Sequence, residues 1–95
     1  MSMDVIHKEV LEIANYQALE LKGFQKILSF GVQDGKLCMW FLRDTSERAF
    51  TIVRIRIKGT GFTFESSELQ GYTFGGTHQQ QDGALIWHVF AGTNL

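Results

Sequence analysis

The sequence predicts an all-β fold: a small antiparallel sandwich or barrel of six to seven short strands, in a single domain over residues 1–95. Three observations carry this expectation. Two Asp-Gly pairs, Asp34-Gly35 and Asp82-Gly83, each lie between apolar runs of strand length. Asp-Gly there is a strong hairpin signal, because a tight hairpin turn needs positive φ at its central residues. Phe50–Lys58, FTIVRIRIK, alternates with the period of two expected of a strand. The chain has ten glycines and no proline, and the glycines fall mostly between β-like runs, as turns and bulges do. No long segment keeps a helical period. The alternative is an α+β fold with an N-terminal helix, because Ile6, Val10 and Ile13 fall at i, i+4 and i+7.

Taken in order, Val5–Ile13 reads better as an edge or two-sided strand, since no capping pattern opens a helix before Ile6. Gln17–Leu21 is a short strand with Leu19 and Leu21 on one face, ended by Lys22-Gly23. Lys26–Arg43 is the central hairpin. Counting outward from Asp34-Gly35 pairs Val32 with Leu37, Phe30 with Met39 and Leu28 with Phe41, and these six form a core face. The opposite face holds Ile27, Ser29 and Gly31 against Leu42, Trp40 and Cys38. It is more apolar than a solvated face usually is.

Asp44–Arg48 is a polar loop. Phe50–Lys58 then places Thr51, Val53, Ile55 and Ile57 on a core face, with Phe50, Ile52, Arg54, Arg56 and Lys58 opposite. Gly59-Thr60-Gly61 interrupts this strand and Phe62-Thr63-Phe64 resumes it. Glu65–Gln70 is polar and suits a single helical turn. In the second hairpin Thr77 pairs with His88, His78 with Trp87 and Gly76 with Val89. Leu85, Trp87 and Val89 then share a face with His78 and Phe74.

Composition narrows the function classes. Apolar residues make up 44% and aromatics 13% of the chain, which opposes disorder. Net charge is −1, so no long nucleic acid is expected as a partner. The N-terminus lacks the basic and apolar regions of a signal peptide, and no run approaches the ~18 apolar residues of a membrane helix. No membrane association is expected. Cys38 is the only cysteine, which fits a reducing cytoplasm.

The chemical groups do not assemble into a catalytic motif. A catalytic Cys38 needs a histidine beside it, and its apolar neighbours Leu37 and Met39 suit a small buried hydrophobe better. His7, His78 and His88 lack metal-site spacing, so no metal and no cofactor is expected. Glu65 and Glu68 read as solvated charge in a turn. The clearest charge pattern is Arg54, Arg56 and Lys58, three cations on one strand face leading into Gly59-Thr60-Gly61 and Phe62. There is no GxxxxGK[ST] phosphate loop. Arginine side chains and glycine-rich backbone N–H groups can nevertheless meet an anionic ligand. Gly76, Thr77 and His78 form a second Gly-rich segment suited to lining the same pocket, and a spare aromatic could stack a base. The bland reading of both segments is a solvated basic face and a bulge.

The runs KILSFGVQDGKLCMWFLRD, IKGTG and GYTFGGTHQQQDGALIWHVFAG resemble, in the same order, segments of a small family of uncharacterised phage and bacterial proteins. The resemblance covers most of residues 8–92. Where members of that family carry His-Pro after GTG, this chain has Phe62-Thr63. The resemblance implies a viral or prophage origin, and so a location in the host-cell cytoplasm.

The expected function is that of a non-enzymatic, phage-type binding protein that counters host defence. Its most concrete form is sequestration of a nucleotide-type small molecule, a cyclic nucleotide or ADP-ribose-type immune signal. The alternative is a protein–protein inhibitor of a host factor or a small structural phage component. A homo-oligomer is expected in either case, with Ile27, Trp40 and Leu42 as its interface, because large exposed apolar patches mark interfaces.

Overall fold

The computed structural model describes residues 3–93. Seven antiparallel strands form two sheets. The strands are β1 (Asp4–Val10), β2 (Gln17–Lys22), β3 (Phe24–Gln33), β4 (Lys36–Asp44), β5 (Phe50–Gly59), β6 (Thr73–Gln80) and β7 (Leu85–Thr93). The smaller sheet has the order β1-β4-β3 and the larger β2-β5-β7-β6. The Cα envelope measures 47 × 32 × 16 Å, and its short axis fits two stacked layers. The fold is the expected all-β sandwich. The N-terminal helix of the alternative is absent: Asp4–Val10 pairs with β4 along its length, from Asp4–Asp44 to Val10–Cys38.

The first hairpin turns as its Asp-Gly pair dictates. Asp34 has φ +51° and Gly35 φ +76°, the two left-handed residues of a type I′ turn. The second hairpin keeps the expected register, with His78 opposite Trp87 and Thr77 opposite His88. Its loop is longer. Gln81–Gly83 forms a 3-10 turn in which Gln81, Asp82 and Gly83 all have positive φ. Gly23 makes the corner between sheets. At φ +71° its N–H donates to the Ala49 carbonyl at 2.9 Å, and its own carbonyl accepts from Asp44 N–H at 2.8 Å. The chain thus leaves β2 in one sheet and enters β3 in the other with no loop.

The core lies between the layers. Leu37, Met39 and Phe41 of β4 meet Val53, Ile55 and Ile57 of β5 and Val89 and Ala91 of β7, closed by Leu11 and Leu21. These are the alternating residues that the strand period marks. Three expectations within this frame are corrected. A register shift between Ile27 and Ser29 makes Ile27, not Leu28, the partner of Phe41. Ile27 packs against the core, and Leu28 bulges outward to 41% exposure. Ile27 is therefore not on the face expected as an interface, although Trp40 and Leu42 remain there, half-buried. Val32, near the hairpin tip, is also exposed.

The second correction concerns Gly75-Gly76. Phe74 pairs with Phe90 and Thr77 with His88, so both glycines oppose Val89 alone, as a β-bulge requires. The extra residue reverses the parity of the strand before it. Phe74 turns to the outer face and is 56% exposed. Third, Phe62-Thr63-Phe64 does not resume a strand. Phe62 N–H returns to the Gly59 carbonyl at 3.3 Å, and the segment runs as an irregular loop to a 3-10 turn at Ser66–Leu69.

Candidate functional site

The three cations of β5 lie on the outer face of the larger sheet, because Val53, Ile55 and Ile57 take the inner one. They are not a free anion-binding row. Lys58 is 7% exposed. Its Nζ donates to Asn15 Oδ1 and to Glu68 Oε1, each at 2.5 Å, and lies 4.6 Å from the centre of the Phe64 ring. Arg56 Nη1 lies 3.6 Å from the same Glu68 oxygen, with its guanidinium over the rings of Tyr16 and Tyr72. One carboxylate thus serves two cations. The hydrogen bond from Lys58 is the main reason that the Glu68 carboxyl is held below its ordinary value. Only Arg54, opposite Ala18 and Gly92, has no ion pair among the described residues.

Glu68 is the residue that sequence reasoning missed, since Glu65 and Glu68 read as solvated charge. The available signal was the spacing Glu65-x-x-Glu68. Glu65 N–H donates to Glu68 Oε2 at 3.3 Å, closing a capping box around the 3-10 turn and aiming the other oxygen at β5. Asn15, Tyr16 and Tyr72 carry no sequence signal for this role. They meet the cations only through the packing of two loops.

The two glycine-rich segments do meet, around a residue outside the expected set. Thr60 Oγ1 lies 2.7 Å from His88 Nε2, and Thr77 Oγ1 lies 2.9 Å from His88 Nδ1. Both threonine hydroxyls can donate or accept, so either tautomer of the ring is served. His78 takes no part. It pairs with Trp87 on the inner face, donates from Nε2 to the Gly75 carbonyl at 3.1 Å, and lies 6.5 Å from the Phe30 ring. The expected ligand set therefore divides. Arg54, Arg56, Lys58, Thr60 and Thr77 share the outer face, while Gly76 sits in the bulge and His78 faces inward. Lys58, Gly59 and Phe62 also line a hollow of about 310 Å³ with Trp87 and Ile13. Among the described residues no group of three or more His, Cys, Asp or Glu is placed to hold a metal ion.

A larger concavity than this hollow lies elsewhere, between β3 and β6. It has a volume of about 810 Å³. β3 is one edge strand of the smaller sheet and β6 one edge strand of the larger. They touch where the Phe30 ring lies against Gly75. A Cβ built there would stand 2.6 Å from Phe30 Cε2, so only glycine allows this approach. On one side of this contact the edges diverge. The resulting cleft is walled by Phe24, Ile27, Leu28 and Phe30 on β3 and by Phe74 and Gly75 on β6, with Ala91 and Gly92 of β7 also in its lining. Among the described residues Lys26 is its one charged lining residue. Neither edge has a backbone–backbone hydrogen bond beyond its own ladder among the described residues, and of the β6 carbonyls at the cleft that of Gly75 accepts from His78 Nε2. The two register shifts place Leu28 and Phe74, both exposed, at this cleft.

Cys38 is fully buried on the outer side of β4. It pairs with Gly31, whose open position lies under the Trp40 ring.

Nothing among the curated proteins or the solved structures matches the chain. The profile of a domain of unknown function, DUF7352, matches residues 3–95, and the chain belongs to that family.

Proposed function

We propose that the protein is a non-enzymatic binding protein, of phage origin as the resemblance implies, that takes an extended segment of a host polypeptide into the cleft between β3 and β6. The observation that carries this reading is the pairing of two unladdered strand edges with an apolar, nearly uncharged lining. Unpaired backbone donors and acceptors recognise another extended backbone, and pockets for alternate side chains add selectivity. An inserted strand would bridge the two sheets. Inhibition of a host factor follows if the segment taken is one that the factor needs.

Selection of a random 12-residue peptide library on the immobilised protein tests this reading. Enriched peptides should alternate apolar with small or polar residues and carry little charge. Leu28→Asp and Phe74→Asp should abolish their binding, and Arg54→Ala should not. No enrichment, or binding unaffected by both aspartates, would refute it.

The nucleotide reading has weaker support. Glu68 already engages both Arg56 and Lys58, and an incoming phosphate would have to displace it. Calorimetry against cyclic di- and trinucleotides tests this second reading: heat that Arg54→Ala and Arg56→Ala remove would favour it over the peptide.

A further inference from the structure

β1 is the other edge of the smaller sheet, and its outward edge makes no backbone hydrogen bond among the described residues. It is apolar on both faces: Ile6 is 60% exposed, Val10 47% and Val5 37%. Beside it on the outer face stand Leu42, the partner of Ile6, and Trp40, the partner of Lys8. An apolar edge of this kind is a template for a further strand.

The strand's own sequence, DVIHKEV, says which strand fits. A second copy can pair antiparallel about a two-fold axis in only a few registers that keep outer residues opposite outer ones, since a one-residue slip reverses the faces. With the axis at His7, Asp4 would oppose Val10 and Ile6 would oppose Lys8, setting each charge against an apolar side chain. With the axis at Val5 the overlap within the strand shortens. With the axis at Ile6, Asp4 opposes Lys8 of the second copy twice, Val5 opposes His7 twice, and Ile6 meets Ile6. This register alone pairs every charge on the outer face with its opposite and places the most exposed isoleucine at the centre.

We propose that two copies associate through β1 in this register, forming a continuous six-stranded sheet, β3-β4-β1 followed by β1-β4-β3 of the second copy. Leu42 and Ile6 of both copies then form one apolar row across the outer face. Lys8 Nζ, which in the single chain donates to the neutral Gln33 Oε1 at 2.7 Å, exchanges that acceptor for the Asp4 carboxylate of the second copy. The cleft between β3 and β6 lies at the opposite edge of the smaller sheet, so each dimer presents two clefts facing outward.

Sedimentation equilibrium on the full chain at low salt tests the proposal, with expected dissociation in the micromolar range typical of small interfaces. Asp4→Lys and Lys8→Asp should each weaken association about tenfold or more, and the double exchange should restore it. Ile6→Cys should cross-link two chains under oxidation, because residues facing across an antiparallel pair lie within disulfide reach and Cys38 is buried. A monomer at about 100 μM would overturn the proposal. So would tighter association of Lys8→Ala, which would make Lys8 an edge guard, or single and double charge variants that associate alike. A dimer in which Ile6→Cys fails to cross-link would place the interface elsewhere.

Discussion

Substituting Gly75 tests both the packing of the fold and the floor of the cleft. Gly75 has no left-handed φ, so alanine can adopt its backbone. In open space the change would stabilise the protein by about 0.4–1 kcal/mol through the unfolded chain. Here the added methyl would stand 2.6 and 2.7 Å from Cε2 and Cδ2 of Phe30. Carbon atoms prefer about 3.5–4.0 Å, so the ring or the strand must move by roughly 1 Å. Overpacking of that kind costs about 1–3 kcal/mol. The expected net effect of Gly75→Ala is a loss of about 1–2 kcal/mol, or roughly 4–16 °C in Tm for a domain of this size. Urea unfolding followed by tryptophan fluorescence reads it. In the Phe30→Ala background the obstruction is gone, so Gly75→Ala should become neutral or stabilising. The cycle should therefore give a coupling of about 2 kcal/mol, well above the ~0.5 kcal/mol of independent sites. Stabilisation by Gly75→Ala in the Phe30 background, or additive single changes, would refute the contact between β3 and β6 and with it the closed end of the cleft.

Three further outcomes follow from the same geometry. Ile27→Ala should cost about 1.5–2.5 kcal/mol, because Ile27 packs on the core, while the bulged Leu28→Ala should stay within about 0.5 kcal/mol; equal losses in urea midpoints would reverse the register shift. Glu68 is held low in the folded state, first by its hydrogen bond from Lys58, so its contribution is present above its ordinary carboxylate range and is lost as pH falls through its lowered folded value. Urea midpoints against pH should therefore fall less steeply at acid pH in Glu68→Gln than in the parent, by an amount limited by solvent screening, and identical slopes would deny the link. Cys38 should react with a thiol reagent only at the rate of global unfolding, since it is fully buried; labelling within seconds in native buffer would contradict that burial.

The contrast between Leu28 and Ile27 shows where sequence reasoning stops. Both are apolar and adjacent, and alternation alone sends Leu28 inward. The bulge that reverses them leaves no mark in KILSF and shows only in how β3 pairs with β4. The Gly75-Gly76 bulge is different: a glycine pair inside a strand is a recognised signal, though which residues it reverses depends on its partner, Val89. The cations divided in the same way. Their common face was legible from the period of β5, but Glu68, Asn15, Tyr16 and Tyr72 reach them from distant positions, through folds of two irregular loops.

By itself the sequence determined the class of fold, the two hairpins and their registers near the turns, and the core faces of β4 and β5. All of these rest on local physics: turn conformations open to Asp-Gly, and a side-chain period of two. The tertiary structure decided which strand edges were left bare, where they touch, and which charges were already satisfied. Those outcomes depend on the stacking of two sheets and on bulges set by partners far along the chain. The cleft between β3 and β6 exists only because Phe30 meets Gly75 across a sequence separation that no local pattern spans.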